Sequence, residues 1–243
     1  MKFVATIEAR MTSSRLPGKV LADLAGSPVL AIMVERLRLI PELDRIVIAT
    51  TVNKEDDAVE ALARDLGVGF WRGSEDDVLQ RVLDAAVHHD ADVIVELTGD
   101  CPLIDPAIVS GVIRRYRDAG VDYVSNVIER SYPIGMDTQV FATAVLADVA
   151  RRTTDVADHE HVSLFIYRHP EIYSLSNVRA PSGETRPDLR LTLDTPEDLA
   201  TLCAIHRALR PQGPGYSLAD MLAFLDANPR VAAQNAHVAH RWV

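Results

Sequence analysis

Short apolar runs alternate with segments of helical periodicity through the first half of the chain. The apolar runs predict strands at 3–7, 45–50, 93–97 and 122–124, with a short one near residue 70. The periodic segments between them predict helices at 28–40, 56–66, 76–86 and 106–116. Strands that are apolar throughout and alternate with helices are typical of a parallel sheet covered on both faces. The pattern therefore predicts an α/β fold with a mostly parallel sheet.

The regular alternation changes after residue 126. A turn-rich stretch at 131–135 precedes an alternating run at 138–141, and residues 158–167 read as a helix or a loop. We interpret about 127–180 as an insertion-like lobe of one domain that spans 1–243. Strand patterns at 172–175 and 189–193 and helices at 196–209 and 217–227 complete the prediction.

The composition narrows the classes of partner. The 243 residues are 48% hydrophobic and carry a formal net charge of −10, which excludes the basic surface that binds nucleic acid polymers. No apolar run approaches the roughly 20 residues that span a bilayer, and two cysteines are too few for a disulfide framework. We therefore expect a cytoplasmic protein with no membrane partner. A small anion would bind such a chain only where positive groups are gathered locally.

Positive groups are gathered in the loop after the first strand, at residues 8–21. Within ten residues it carries the cations Arg10, Arg15 and Lys19 and the hydroxyls of Thr12, Ser13 and Ser14. Ligands of open parallel sheets bind beyond the carboxyl ends of the strands, and these groups suit a triphosphate. The loop matches neither GxxxxGK[ST] nor GxGxxG. The alternative is a solvated basic loop with an ordinary Pro-Gly turn.

Two later strand ends carry aspartates. Asp100 follows the strand at 93–97 beside a glycine, where a carboxylate could hold Mg²⁺ together with phosphates, although it could also cap a turn. Asp105 precedes a proline and is predicted to cap the next helix. After the strand predicted at 189–193, Thr195 is the natural cap of the next helix. This leaves Asp194 without a capping function and makes it a candidate second metal ligand.

Several segments together resemble one family. They are ARMTSSRLPGKVL at 9–21, RGSEDDVLQRV at 72–82, LTGDCPLIDP at 97–106, YPIGMDTQVF at 132–141, EHVSLFIYRHP at 160–170 and LDTPEDL at 193–199. In this order they resemble the cytidylyltransferases that activate sugar acids, which include the CMP-sialic acid and CMP-Kdo synthetases. The most similar branch contains spore-coat polysaccharide synthesis proteins.

The resemblance implies a fold, a site and a cofactor. The fold would be a three-layer α/β/α nucleotidyltransferase sandwich with a Rossmann-like sheet. The resemblance also assigns residues. The triphosphate would be held by Arg10, Ser13, Arg15 and Lys19, with Ser14 beside them, and the catalytic cations would be Arg10, Arg15 and Lys19. The base pocket would be lined by Ala9, Arg10 and Met11 together with Arg72, Gly73 and Ser74, and Thr98 would lie close to the ribose or base. Mg²⁺ would be bound by Asp100 and Asp194.

Acceptor and dimer contacts are expected in the lobe. The candidates are Asp137, His159, His161 and Arg168, and an anionic acceptor would need a further cation such as Arg130, Arg168, Arg179 or Arg186. A metal site at Asp158-His159-Glu160-His161 is disfavoured, because on a helix its two histidines point about 200° apart. We also interpret Cys101 as a small buried side chain rather than a nucleophile.

The function implied is Mg²⁺-dependent transfer of CMP from CTP to a small anionic, sugar-acid-like acceptor, with release of pyrophosphate. A homodimer is expected. One alternative keeps the fold but uses another nucleoside triphosphate, or loads CMP onto a phosphonate or other natural-product acid. Another is a nucleotide-sugar binding paralogue without catalysis, against which the intact cationic loop and both aspartates argue.

Overall fold

The computed structural model describes residues 1–240, and a seven-stranded sheet forms its centre. The strands within that range are β1 (Phe3–Glu8), β2 (Arg45–Thr51), β3 (Gly69–Gly73), β4 (Val93–Thr98), β5 (Tyr123–Ser125), β6 (Gln139–Ala142) and β7 (Leu175–Asn177). The helices are α1 (Val29–Leu37), α2 (Asp57–Asp65), α3 (Val78–His88), α4 (Pro106–Ala119), α5 (Thr143–Arg152), α6 (Val156–Glu160), α7 (Leu164–Arg168), α8 (Pro196–Leu209), α9 (Leu218–Ala227) and α10 (Pro229–Ala232).

The sheet has the order β3-β2-β1-β4-β6-β5-β7. The four strands β3, β2, β1 and β4 are parallel, β6 runs antiparallel between β4 and β5, and β7 is parallel to β5. The predicted α/β fold with a mostly parallel sheet is confirmed. Because β1 and β4 lie side by side, the loops that follow them meet at one edge of the sheet.

Helices cover both faces of the sheet, as the apolar strands require. Leu30 of α1 and Val112 of α4 belong to the hydrophobic cluster on one face, and Val82 of α3 and Leu146 of α5 belong to the cluster on the other. A third cluster joins α8 and α9 to the rest of the chain. These layers hold the strand ends, and therefore the loops that carry the polar residues, in fixed positions.

The start of α4 shows how local sequence sets an element boundary. Asp105 caps this helix, since its Oδ1 accepts the N–H of Ala107 at 2.7 Å, and Pro106 occupies the first turn. Its other oxygen, Oδ2, accepts the N–H of Leu218 at 2.6 Å. The predicted capping function of Asp105 is confirmed, and the same side chain also ties α4 to the start of α9.

The prediction of a strand at 189–193 is wrong. This segment makes one isolated bridge, between Ile134 and Arg190, and lies outside the strands of the described chain. It runs against the loop at Gly135, whose φ is +104° and where a Cβ atom would lie 2.5 Å from the backbone of Leu191, so only glycine allows this approach. The alternating leucines of the segment pack in the third cluster, with α8 and α9.

Other boundaries in the second half also differ from the prediction. The strand expected at 172–175 begins later, as β7, because residues 172 and 173 form a turn whose N–H groups both bond to the carbonyl of His169. Helix α5 was not predicted. Residues 158–167, predicted as helix or loop, contain the end of α6 and most of α7.

The segment 127–180 contributes two strands to the sheet. Within the segment that we interpret as an insertion-like lobe, β6 pairs with both β4 and β5, and β7 pairs with β5. Helix α6, from the same segment, packs against α3. The segment thereby reaches the edge of the sheet at which the loops after β1 and β4 meet. Among residues 1–240, none of the helices has the length and apolar character needed to cross a bilayer.

Candidate active site

A cavity of about 390 Å³ opens at the carboxyl ends of β1 and β4. Most of the predicted site residues line it, from the loop after β1, the end of β4, α6 and the segment before α8. They are Ala9, Arg10, Ser13, Ser14, Arg15, Lys19, Thr98, Asp100, His161 and Asp194. A larger groove of about 520 Å³ lies at the opposite ends of β2 and β3 and contains none of the predicted site residues.

The loop after β1 is closed by backbone hydrogen bonds. The carbonyl of Met11 accepts the N–H groups of Ser13 at 3.0 Å and of Gly18 at 2.9 Å, and Met11 itself donates to Asp56 at 2.7 Å. Gly18 has a φ of +73°, the left-handed region that favours glycine, and Lys19 follows it directly at the start of a short 3₁₀ turn. The loop is thus a fixed ring that presents Lys19 to the cavity.

Lys19 joins two carboxylates that are far apart in the sequence. Its Nζ lies 2.6 Å from Oδ2 of Asp100 and 2.9 Å from Oδ1 of Asp194. Burial alone would lower the pKa of Lys19, but the charges of the two aspartates outweigh it and raise that pKa above its ordinary value. The ammonium group therefore stays charged, and the two aspartates lie within reach of one small cation.

Asp194 is surrounded by cations. Arg15 contacts its Oδ1 at 2.7 Å, and Arg190 contacts its Oδ2 at 3.1 Å. Burial would raise the pKa of Asp194, but the charges of Lys19 and Arg15 and a hydrogen bond from Arg190 hold it below the ordinary value. Arg190 also bonds to the buried Asp198, so this network anchors the carboxylate from behind.

Backbone contacts bring Asp194 beside Asp100. The carbonyl of Asp100 accepts the N–H of Leu193 at 2.8 Å and the hydroxyl of Thr192 at 3.3 Å. The chain then enters α8 through a capping box, in which Thr195 and Asp198 bond reciprocally to each other's backbone N–H groups. Thr195 is the cap, as predicted, and Asp194 is left facing the cavity.

Replacing Thr195 by alanine should lower the free energy of unfolding by about 1 kcal/mol, because a first-turn N–H loses its side-chain partner. Urea unfolding followed by circular dichroism measures this change. Ser217→Ala is the matched control, since Ser217 forms the same capping box on α9. It should cost a similar amount. An unfolding free energy for Thr195→Ala equal to that of the wild type would contradict the prediction.

The structure places other predicted residues outside the cavity. The guanidinium of Arg72 donates hydrogen bonds to the carbonyls of Thr51 and Asn53, at the end of β2 and in the loop after it. It also donates to the carboxylates of Asp57 and Glu60 on α2. It therefore faces α2 rather than the cavity, because alternate residues of β3 point to opposite faces of the sheet.

Three other predicted residues contact neighbours of the cavity but do not line it: Gly73, Ser74 and Met11. A Cβ atom on Gly73 would lie 2.9 Å from Cγ of Arg81, and the carbonyl of Ser74 accepts a hydrogen bond from the same arginine. The backbone of Met11 closes the loop described above. These residues shape the rim of the site and are not among its lining residues.

The acceptor candidates divide in the same way. His161 lines the cavity, whereas His159 bonds to Asp77 at 2.8 Å and to the carbonyl of Thr153 at 3.2 Å. Asp137 forms a two-bond ion pair with Arg130 outside the cavity, and Arg168, the last residue of α7, is not among the lining residues. The suggested acceptor cations Arg179 and Arg186 also lie outside and pair with acidic residues.

Electrostatics fix the state of His161 and Cys101. Burial lowers the pKa of His161, and the charge of Arg168 lowers it further against the opposing charge of Glu160. Its imidazole is therefore neutral at neutral pH. Cys101 is buried, and burial raises the pKa of its thiol well above the ordinary value, which agrees with a small buried side chain.

The sequence analysis did not identify Arg81 or Glu8 as residues that line the cavity. Arg81 is buried on α3, and Glu8 is the last residue of β1. A signal for Arg81 was present, because it shares a helical face with Val78 and Val82 and so stands at a position where a hydrophobic residue is expected. Arg81 is thus a further cation at the cavity.

The donor set at the cavity suits a hard divalent cation. Mg²⁺ is typically held by one or two carboxylates together with substrate phosphates and water, and Asp100 and Asp194 supply two carboxylates next to a cationic loop. The ammonium of Lys19 bonds to both, so an oxygen of each carboxylate faces the same point. Across the described part of the chain, no three or more His, Cys, Asp or Glu side chains are grouped so that they could hold a metal ion. The residues at 158–161 therefore do not form such a group.

Comparison with known proteins shows what the whole chain is similar to. A family model described as cytidylyltransferase matches residues 4–231. The spore coat polysaccharide biosynthesis protein SpsF of Bacillus subtilis is 34% identical over 94% of this chain and 95% of its own length. A 3-deoxy-manno-octulosonate cytidylyltransferase of Solibacter usitatus is 27% identical over 88% of this chain and 98% of its own. The solved structure of a cytidylyltransferase from Leptospira borgpetersenii superposes with a TM-score of 0.91 at 31% identity, covering 99% of this chain and 100% of its own.

Proposed function

Because the chain belongs to the cytidylyltransferase family, we propose that it transfers CMP from CTP to a hydroxyl group of a small anionic, sugar-acid-like acceptor and releases pyrophosphate. The observation that carries the proposal is the cluster at the carboxyl ends of β1 and β4, in which Lys19 contacts both Asp100 and Asp194 and Arg15 contacts Asp194. Cations for a triphosphate and carboxylates for its metal ion meet there.

Positioning and charge are what the residues supply. The hydroxyls of Ser13 and Ser14 and the charges of Arg10, Arg15 and Lys19 would hold the triphosphate. As the acceptor oxygen attacks the α-phosphorus in line, Arg15 and Lys19 would stabilise the negative charge that gathers on the leaving pyrophosphate. Mg²⁺ held by Asp100 and Asp194 would offset charge on the α-phosphate.

The remaining cavity surface suits the base, the ribose and the acceptor. The backbone of Ala9 and Arg10 would border the base, and Thr98 would lie near the ribose or base. Arg81 offers a positive charge to an anionic acceptor, and His161 offers a neutral imidazole from the segment 127–180. We include in the proposal a homodimer in the cytoplasm, with that segment as the source of acceptor and dimer contacts.

The test is a panel of the four common nucleoside triphosphates with Mg²⁺ against sugar acids, sugar phosphates and phosphonates, followed by phosphorus NMR. We expect pyrophosphate release from CTP alone, and only with acceptors that carry a carboxylate. Release from a different triphosphate would replace the nucleotide assignment, and release with a phosphonate alone would replace the acceptor. No release with any pair would refute the proposed reaction.

A further inference from the structure

The wall of the cavity between β1 and β4 contains a pair of carboxyl groups that the proposed function does not use. Glu8 lines the cavity, and Glu96 lies deeper on the same face of the sheet and is 5% exposed. In the parallel pairing of the two strands, Glu8 is opposite Thr98 and Glu96 is opposite Thr6. Glu8 and Glu96 are therefore diagonal neighbours, and side chains of this length reach each other across adjacent strands.

Both carboxyl groups have an oxygen without a donor. Oε1 of Glu8 and Oε2 of Glu96 are buried, and neither has a hydrogen-bond partner within residues 1–240. Buried polar atoms are nearly always paired, and two adjacent carboxylates in a site of low dielectric cannot both remain ionised. One proton held between the two groups satisfies both conditions, since it supplies the missing donor and removes one charge.

The surrounding charges decide which carboxyl holds the proton. Burial raises the pKa of Glu96 well above its ordinary value, the charge of Glu8 raises it further, and only a hydrogen bond from Ser163 opposes them. Burial raises the pKa of Glu8 to about 7; Asp100 adds to this effect, whereas Arg81 and Arg10 oppose it. Glu96 therefore keeps its proton at neutral pH, and Glu8 exchanges one.

Glu8 is also in the right place for the reaction. Asp100 follows Thr98, the residue opposite Glu8, by two positions, and both carboxyl groups line the same cavity. A general base must lie at the reacting group and titrate near the working pH. The carboxyl groups that line the cavity in the described chain are those of Glu8, Asp100, Glu160 and Asp194. Lys19 bonds to Asp100 and Asp194, and Glu160 is exposed, so Glu8 is the one that is free of Arg15 and Lys19 and has a buried acid behind it.

We propose that Glu8 is the general base of the CMP transfer proposed above and that Glu96 is a residue that positions it. The acceptor oxygen forms a bond to the α-phosphorus, and the bond from that phosphorus to the bridging oxygen of the leaving group breaks. The electron pair of the broken bond leaves on pyrophosphate. The proton of the acceptor hydroxyl passes to the carboxylate of Glu8 and from there to solvent.

Glu8→Gln tests the proposal with almost no change of shape. With CTP and an accepted sugar acid, kcat for pyrophosphate release should fall by about 100-fold or more, because the proton acceptor is lost. The Kd for CTP, measured by calorimetry, should stay unchanged and shows that the variant folds. The limb near neutral pH in the profile of kcat/KM should disappear. Glu55→Gln, which changes an exposed glutamate outside the cavity, is the matched control and should behave as the wild type.

Glu96→Gln and infrared spectroscopy test the carboxyl pair itself. Glu96→Gln keeps a neutral hydrogen-bond donor beside Glu8, so the limb assigned to Glu8 should stay near its wild-type pH. Glu96→Leu removes that donor and should move the limb to higher pH, with a smaller loss of kcat than Glu8→Gln. In the free enzyme, the infrared band of the protonated Glu8 carboxyl should appear and disappear as the pH passes through neutrality. This titrating band should be absent from Glu8→Gln.

Two results would overturn the inference. One is a Glu8→Gln variant whose kcat stays within about threefold of the wild type. The other is an infrared titration that is the same in both proteins. If the wild type releases no pyrophosphate with any acceptor, the proposed function fails instead, and the infrared titration then decides the carboxyl pair by itself.

Discussion

Lys19→Ala should lower the turnover of CTP by more than about 100-fold, because a fixed positive charge at the leaving pyrophosphate is lost. The same substitution removes the ammonium that joins Asp100 to Asp194, so two partly buried carboxylates are left to repel each other. Arg15→Ala removes another of the three cations on Asp194 and should lower turnover to a similar extent. Steady-state release of pyrophosphate measures both effects.

The control for this prediction is Lys54→Ala. Lys54 is exposed and does not line the cavity, so its loss should leave turnover unchanged. Circular dichroism of each variant separates lost catalysis from lost folding, and Lys19→Arg, which retains the charge on a larger group, should recover part of the activity. Near-normal rates in both Lys19→Ala and Arg15→Ala would remove the triphosphate from this loop.

Asp100→Asn and Asp194→Asn should each lower activity by about 1,000-fold and weaken binding of divalent cations, because a neutral amide is a poor ligand for a hard cation. Titration with Mg²⁺ in activity assays and with Mn²⁺ by electron paramagnetic resonance gives two independent measurements. Asp194→Asn should also lower stability, since it weakens the contact with the buried Arg190.

Asp76→Asn is the matched control for the aspartates. Asp76 is exposed and lies outside the cavity, and its loss should change neither cation binding nor turnover. A variant of Asp100 or Asp194 with an unaltered Mn²⁺ titration would exclude that residue from the proposed metal site.

The sequence could predict the part of the site that depends on strand ends. Asp100 and Asp194 are 94 positions apart, yet both were expected at the same edge, because ligands of a parallel sheet gather beyond its carboxyl ends. Asp194 was reached by elimination, since Thr195 had the sequence of a cap, and the structure places it beside Asp100 with Lys19 between them. Sheet topology was sufficient for Asp100. Asp194 was expected from capping chemistry and from a strand at 189–193 that the described chain does not contain, and the bonds from Leu193 and Thr192 to the carbonyl of Asp100 are what place it there.

The parts that were missed depend on partners that are distant in the sequence. The alternating leucines at 189–193 indicate burial on one side, but the pattern does not show whether the burying surface is a strand or the helices α8 and α9. Arg72 was assigned to the base pocket from the resemblance, and the groups that engage its guanidinium instead lie in the loop after β2 and in α2. Neither partner is visible in the local pattern of residues.

The bridge that Lys19 makes between Asp100 and Asp194 has a consequence for the end of each catalytic cycle. In the free protein the cations of this loop already have anionic partners, so the pocket is a closed set of ion pairs rather than an open positive funnel. A triphosphate would therefore exchange partners with Lys19 and Arg15 instead of meeting bare charges. If pyrophosphate is released as proposed, the aspartates can bond to these cations again, and this competition within the protein reduces the tendency of a highly charged product to remain bound.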